Sequence, residues 1–300
     1  MKSQKPSQIS HLPCKILVTS LFCVTALPSH ASTDSHLSQT QQAVSDHVIG
    51  EQRQQLEINT QGQGFGPQSP RDIDSIDGSN TVKFALSPEY QKMNLCNIHF
   101  HKNAEHAGGE FTEYAGNGDG QGYFTGYRYA KQLSDAEIAP IERAACPDKH
   151  GGLHPGDTIE VHYVFSSAQI EPGPTLGACL SPAINNPQLR VEAQVMVLVN
   201  DSEALQFNEL AHVDKHSGFY QATRLLNNMG DPITYAGSTT GPNYNQKGSP
   251  LQVTWSVRPK VAKVDIDSVG TWCEGNIFEE NHAHGVRNLV TNPALLSKIN

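Results

Sequence analysis

The sequence predicts a β-dominated α+β protein. From Gly62 onwards, short apolar runs alternate with clusters of Gly, Pro, Asn and Asp, which is the pattern of short strands joined by turns. Helical periodicity is weak by comparison. The best helix start is Ser134, with Glu137 three residues later completing a capping box. We therefore expect one β-rich domain over residues 61–300.

The first 31 residues have the layout of a secretory signal peptide. Lysines precede an apolar run at residues 16–27, and small residues follow up to Ala31. The run is shorter than the ~20 residues that a membrane-spanning helix needs. We expect residues 1–31 to be removed, which leaves a mature protein without a membrane span in the periplasm or outside the cell.

Residues 32–60 are rich in Ser, Gln, Thr and His and contain few large apolar side chains, so the sequence predicts a flexible leader there. The domain that follows contains five candidate strands: Thr81–Leu86, Leu95–His101, Thr158–Ser166, Arg190–Asn200 and Leu251–Arg258.

Charge and cysteine content narrow the class of protein further. There are 21 Lys and Arg against 30 Asp and Glu, a formal net charge of −9 that repels phosphate backbones and disfavours a nucleic-acid partner. An even number of cysteines remains after the signal peptide, which in an exported protein favours two disulfides. Three pairings are open among Cys96, Cys146, Cys179 and Cys273.

The histidines indicate a metal site. On a strand, His99 and His101 point to the same face, close enough for both to bind one ion. A second strand carries His162, and pairing of the two strands would bring a third imidazole to that ion. Three histidines with an open fourth position are typical of catalytic zinc. His99, His101 and His106 form a second possible triad, which would require a sharp turn after His101.

Two further polar residues share the faces of these histidines. Asn97 and Glu160 each lie two residues before a candidate ligand, so each can accept a hydrogen bond from the outer ring nitrogen of that histidine.

Several motifs, taken in chain order, resemble those of carbonic anhydrases. The segment Cys96–Phe111 as a whole is most similar to the δ class, whereas five motifs, one of them inside this segment, resemble the α class. These five are Gln68-Ser69-Pro70-Arg71-Asp72-Ile73, His99-Phe100-His101 with Glu105-His106, Glu160-Val161-His162-Tyr163-Val164, Thr234-Tyr235-Ala236-Gly237-Ser238-Thr239-Thr240 and Val253-Thr254-Trp255-Ser256-Val257.

The resemblance implies an α-carbonic-anhydrase-like single domain with a large, mostly antiparallel twisted sheet. It implies zinc held by His99, His101 and His162, and reversible hydration of carbon dioxide to bicarbonate by metal-bound hydroxide. Thr240 would accept a hydrogen bond from that hydroxide and pass its own proton to Glu105. The remaining implied residues are His106, Tyr235 and Glu160 as supports, and Val164, Val253 and Trp255 as the apolar substrate pocket.

Some positions depart from the α-class pattern. The interval between His101 and Glu105 is short, and Thr239 stands where the α class has an apolar residue, so the two adjacent threonines are hard to distinguish. Asn80 falls where the α class has its proton-shuttle histidine. The shuttle is unassigned, with His150, His154 and His212 as candidates by residue type.

Two alternative functions fit parts of the pattern. His99, His101 and Glu105 also match the first half of a cupin metal motif, which would favour iron or manganese in a metal-binding protein or oxygenase. The other alternative is a non-catalytic metal-binding protein on an anhydrase scaffold.

Overall fold

Five long strands form a central sheet, and short helices and hairpins surround it. The computed structural model describes residues 43–239 and 245–299. The strands are β1 (Asn94–Lys102), β2 (Glu113–Tyr114), β3 (Tyr127–Arg128), β4 (Thr158–Ser166), β5 (Leu189–Val199), β6 (Val213–His216), β7 (Phe219–Ala222), β8 (Ile233–Ser238) and β9 (Gln252–Asp265). The helices are α1 (Asp46–Thr60), α2 (Phe207–Leu210) and α3 (Ile266–Cys273), with 3₁₀ turns at Tyr90–Lys92, Leu176–Cys179 and Pro293–Leu295.

The central sheet has the strand order β1-β4-β5-β9-β8. The pairs β1/β4, β4/β5 and β8/β9 are antiparallel, and β5/β9 is parallel. The β2–β3 and β6–β7 pairs form separate two-stranded sheets. The prediction of a β-dominated domain with a mostly antiparallel sheet is therefore confirmed, with one parallel pair in its centre.

Apolar side chains cover both faces of this sheet. On one face Ile98, Phe100 and Tyr163 pack in a cluster with Trp272 of α3. On the other face Val164 and Trp255 belong to a second cluster. Because side chains alternate along a strand, the residues between those of the first cluster point to the second face. His99 and His162 therefore lie on the side of Val164 and Trp255.

Four of the five predicted strands are confirmed, and the exception is Thr81–Leu86. This segment lies outside every strand and is mostly exposed. Its β-branched residues favour extended backbone, but a strand also needs a neighbouring strand with which to form hydrogen bonds.

The predicted helix after Ser134 is also wrong. Ser134 and Glu137 form the expected capping hydrogen bonds, but only turns follow, and Pro140 cannot donate the hydrogen bond that a helix would need.

The predicted flexible leader needs correction at residues 46–60, which form helix α1. Ile49 and Leu56 are buried. Gln52 donates to the carbonyl oxygen of Gly120 and accepts from the side chain of Asn288. The composition misled because two apolar residues and one buried amide, all on one helix face, anchor an otherwise polar helix to distant parts of the chain.

Two disulfides join the four cysteines, as the even count predicts. They are Cys96–Cys179 and Cys146–Cys273, a pairing that fits an oxidising, extracytoplasmic environment. The proposed signal peptide lies outside the described residues. Within the described part, no helix has the length and apolarity to cross a membrane.

The helical state of residues 46–60 can be tested at Gly50. This glycine is exposed within α1, and a Cβ added there meets no atom within 4 Å. We expect Gly50→Ala to raise the free energy of unfolding by about 0.5–1 kcal/mol, because alanine loses less backbone entropy than glycine in a helix. Urea unfolding of the two proteins measures the difference.

Gly62→Ala is the matched control. Gly62 also has open space around its Cα but has φ of +71°, so the same substitution should destabilise by about 1–2 kcal/mol. Equal changes in the free energy of unfolding for Gly50→Ala and Gly62→Ala would contradict a helix at residues 46–60.

Candidate metal centre

Three histidines meet on one face of the sheet because of the pairing of β1 with β4. His99 lies directly opposite His162, and His101 lies opposite Glu160. The ring centroids are 5.3 Å apart for His99 and His101, 5.1 Å for His99 and His162, and 4.6 Å for His101 and His162. Each residue offers a nitrogen within 4.8 Å of the others, so the group could hold a metal ion.

Each of these imidazoles has a hydrogen-bond acceptor on its outer nitrogen. Nδ1 of His99 donates to Oδ1 of Asn97 at 2.7 Å, and Nδ1 of His101 donates to the carbonyl oxygen of Gly285 at 2.8 Å. His162 is reversed, since its Nε2 donates to Oε1 of Glu160 at 2.8 Å. A neutral imidazole that donates at one nitrogen has a lone pair on the other. The lone pairs available for a metal are therefore on Nε2 of His99, Nε2 of His101 and Nδ1 of His162.

The alternative triad with His106 does not match this arrangement. Nδ1 of His106 donates to Oε1 of Glu160 at 2.7 Å, and its Nε2 accepts from the hydroxyl of Tyr235 at 2.7 Å. Both ring nitrogens are thus engaged, and the residue is fully buried. His106 is a supporting residue in the described structure, next to the three histidines that come together.

Glu160 joins these elements through its buried carboxylate. Besides His106 and His162, it accepts hydrogen bonds from the backbone N–H groups of Glu105 and His106 at 2.8 and 3.1 Å. Burial opposes ionisation, but the charges and hydrogen bonds of His106 and His162 outweigh it and hold the pKa of Glu160 well below its usual range. The carboxylate is therefore an ionised, acceptor-only group at neutral pH.

For His99 and His101, burial is not outweighed, and it lowers the pKa of both imidazoles. It lowers the pKa of His101 to about 4, although Glu105 works against the change. Burial and the neighbouring His162 and His101 lower the pKa of His99 well below its usual value. Both imidazoles are consequently neutral at pH 7, which is the form that binds metals.

The predicted apolar pocket residues lie beside the histidines. Val164 is opposite Asn97 in the β1/β4 pair. The ring of Trp255 lies 5.0 Å from that of His162 and 4.9 Å from that of His106. Val253 belongs to the same buried cluster as Val164 and Trp255. These side chains form a buried apolar wall beside the histidines.

Glu105 lies near the outer nitrogen of His101 and is not one of the residues whose ligand atoms come together. Its Oε1 accepts from the backbone N–H of Arg287 at 2.9 Å and is 4.0 Å from Nδ1 of His101. Burial would raise the pKa of Glu105, yet His101 and Arg287 lower it overall. The iron or manganese site of the cupin alternative, which uses Glu105 as a ligand, is thus not supported.

Thr240 lies outside the described residues. The neighbouring Thr239 donates its backbone N–H to the carbonyl oxygen of Leu251.

One histidine beside the group was missed by the sequence reasoning. The ring of His284 lies 5.6 Å from His99 and 5.8 Å from His101, and its Nε2 is 2.8 Å from a carboxylate oxygen of Glu280. The available signal was a second His-x-His pattern at residues 282–284. Gly285 and Arg287, in the same segment, were also missed. Gly285 acts through its backbone carbonyl, and Arg287 reaches Glu105 from a distant part of the chain through both its backbone N–H and its guanidinium group.

Of the three shuttle candidates, only His150 is brought near this segment. It stacks on Tyr123 with ring centroids 3.4 Å apart, and it lines a small open pocket together with His284 and Lys102. His154 is exposed, and its backbone N–H bonds the side chain of Asp157. His212 is exposed just after α2.

The sheet and its three-histidine group define a β protein with a candidate metal site, and comparison with known proteins gives its family. Residues 90–268 match the family described as Delta carbonic anhydrase. This is more than half of the 300 residues, and the chain belongs to that family. The resemblance noted in the sequence is thereby confirmed. No curated protein sequence matches the chain.

Solved structures of α-carbonic anhydrases show distant similarity. An α-carbonic anhydrase from Thermovibrio ammonificans, in complex with the inhibitor sulfanilamide, is 17% identical over 74% of this chain and 84% of that one, with a TM-score of 0.27. The Photobacterium profundum α-carbonic anhydrase is 15% identical over 82% of this chain and 95% of that one, with a TM-score of 0.26. At these TM-scores the superpositions do not bear on the fold, which rests on the sheet itself.

The buried neutral histidines predict how the metal-free protein responds to pH. The pKa of His101 is about 4 in the folded state, against 6.5 ordinarily, so between these values the unfolded chain binds more protons. Stability should therefore fall as pH decreases, with His101 contributing a loss of about 2 kcal/mol from pH 7 to 5. The lowered pKa values of Glu105 and Glu160 place their protonation below this window.

Urea unfolding of the metal-free protein at several pH values between 7 and 5 measures this loss. The His101→Gln variant cannot take up the proton, so its stability should depend less steeply on pH. An unchanged pH dependence in that variant would contradict the assignment.

Proposed function

We propose that this protein is a zinc carbonic anhydrase that catalyses the reversible hydration of carbon dioxide to bicarbonate and a proton. The observation that carries the proposal is the group of three imidazoles that come together beside a buried apolar wall, in a chain of the delta carbonic anhydrase family. No charged group of the wall is needed to attract the substrate, since carbon dioxide is uncharged.

Zinc is the metal that the donor set fits best. Nε2 of His99 and Nδ1 of His162 lie 3.3 Å apart. Two nitrogens bound to one tetrahedral zinc at ~2.0–2.1 Å are separated by about 3.4 Å, so the pair matches an edge of that tetrahedron. When bound, zinc supplies Lewis acidity that makes a nucleophile from water near neutral pH, for which carbonic anhydrases are the standard example.

The chain's own residues would orient the reactants and carry the proton. Asn97, Gly285 and Glu160 hold the imidazoles in the tautomers that face the metal. The ionised, buried Glu105 would accept a hydrogen bond from the Thr240 hydroxyl, which leaves the hydroxyl oxygen free to accept one at the metal position. Val164, Val253 and Trp255 would keep the substrate side dry. The residue that shuttles the proton to solvent is unassigned.

We also propose that residues 1–31 are a signal peptide and that the mature enzyme acts in the periplasm or outside the cell. The two disulfides support this location, because such bonds persist in oxidising compartments.

Hydration of carbon dioxide by the purified, zinc-loaded mature protein tests the activity directly. We expect stopped-flow measurement with a pH indicator to show hydration well above the buffer rate, and metal analysis to give one zinc per chain. Stoichiometric zinc without a rate above buffer would favour a non-catalytic metal-binding protein. Iron or manganese in place of zinc would favour the cupin alternative.

Replacement of one ligand should abolish zinc binding and activity together. We expect His162→Ala to weaken zinc binding by at least 100-fold, because only two imidazoles then remain and the carboxylate of Glu160 loses a donor. His216→Ala removes an exposed imidazole of β6 and is the control, with both properties retained. Tight zinc binding in His162→Ala would point to a ligand set that includes His106.

A further inference from the structure

The first metal-site strand contains an irregularity immediately before its histidines. The β1/β4 register shifts between Leu95 and Asn97, so Cys96 is an extra residue in β1. Such a bulge places two successive side chains on the same side of a sheet. Cys96 packs in the apolar cluster with Val164, and Asn97 bonds His99. The cysteine and the histidine's partner therefore point to the same side.

The bulge is tied to the loop between β4 and β5. The disulfide joins Cys96 to Cys179 of this loop. Gly173, also in the loop, donates its backbone N–H to the carbonyl oxygen of Cys96 at 3.0 Å and accepts from Nδ2 of Asn97 at 3.2 Å. Pro172 and Pro174 flank this glycine and restrict its backbone. The loop thus presents one rigid carbonyl group to the Asn97 amide.

We propose that the Cys96–Cys179 disulfide is a positioning element of the metal site, which acts through the Gly173 carbonyl and Asn97 to select the tautomer of His99. This inference rests on the proposed function, since it concerns the same site. It assigns a role to a disulfide and to a loop glycine, neither of which touches the metal position.

The orientation of the Asn97 amide matters because its two ends have opposite hydrogen-bonding character. With Oδ1 towards His99, Nδ1 of the ring must carry the proton, and Nε2 has the lone pair. A flipped amide would present its NH₂ group, so Nδ1 would become the acceptor and the proton would move to Nε2. That proton would occupy the position where a metal binds. The Gly173 carbonyl can only accept, so it holds NH₂ on its own side.

Only His99 needs this kind of control. His101 donates to the backbone carbonyl of Gly285 and His162 to the carboxylate of Glu160, and neither acceptor can become a donor by rotating. Asn97 can do so, and it is 1% exposed, so its orientation depends on the protein groups around it. The loop carbonyl is the described partner of its NH₂ group.

Removal of each disulfide in turn tests the proposal. We expect Cys96→Ala/Cys179→Ala to weaken zinc binding about tenfold, within the range for changes behind a metal ligand. The control Cys146→Ala/Cys273→Ala removes a disulfide that closes a longer loop, 127 residues against 83, and should change zinc affinity less than twofold. Competition with a chelator measures affinity, under conditions where circular dichroism shows each variant to be folded.

Asn97→Asp separates positioning from general stabilisation. A carboxylate only accepts at neutral pH, so its orientation does not affect the His99 tautomer. Adding Asn97→Asp to Cys96→Ala/Cys179→Ala should therefore restore zinc affinity to within threefold of Asn97→Asp alone. A tenfold loss that persists in the aspartate background would overturn the proposal, as would equal zinc affinities for the two disulfide variants.

The tautomer itself can be read without zinc. Imidazole ¹⁵N shifts of the metal-free protein should show His99 protonated at Nδ1 in the wild type and mixed tautomers in Cys96→Ala/Cys179→Ala. A single Nδ1–H tautomer in both would overturn the proposal. Because this readout needs neither metal nor activity, it stands even if the wild type binds no zinc, a result that would overturn only the proposed function.

Should Cys96→Ala/Cys179→Ala fail to fold, Gly173→Pro provides a second variant with both disulfides intact. It removes the N–H that Gly173 donates to Cys96. We expect the same tenfold loss of zinc affinity and the same rescue by Asn97→Asp, and zinc affinity equal to that of the wild type would overturn the proposal.

Discussion

The candidate metal centre depends on the buried carboxylate of Glu160. A fully buried charge must be compensated by hydrogen bonds, and this one accepts four, at 2.7 to 3.1 Å, from His106, His162 and two backbone N–H groups. Through them, β4 is joined to the turn after β1. Through His106 the connection continues to Tyr235 in β8, at the far edge of the sheet. Loss of one donor would leave part of a buried charge uncompensated, so these elements hold one another in place.

The three candidate ligands are likewise held by hydrogen bonds. Each imidazole has an acceptor behind it, and the acceptors are an amide, a backbone carbonyl and a carboxylate. Together they determine which nitrogen keeps its lone pair, while burial lowers the pKa of His99 and of His101 and keeps these two rings neutral. The site is thereby prepared for a cation by groups that would not contact it. Among the three acceptors, only the amide relies on a further group for its orientation, which links the metal centre to a distant loop.

Features that depend on residues close together in the chain were predictable from the sequence, because the alternation of side chains along a strand decides them. Alternation along β1 and β4 placed His99, His101 and His162 on one face, and the positions two residues earlier correctly indicated Asn97 and Glu160 as their partners. The prediction was wrong for Thr81–Leu86 and for residues 46–60. A strand needs a neighbouring edge, and α1 is stabilised by contacts with Gly120 and Asn288, far away in the chain. Composition does not report either requirement.

The sequence by itself determined which residues form the centre and which face of each strand they occupy, because side chains alternate along a strand. It also determined the number of disulfides, because an even number of cysteines follows the proposed signal peptide. Only the tertiary structure decided which cysteines pair, that Gly285 supports His101, that His284 lies beside the ligands, and that the bulge at Cys96 turns two successive side chains to one side. Each of these depends on how segments that are remote in the chain come together, and the contribution of Gly285 is made by a backbone group, which is the same in every residue.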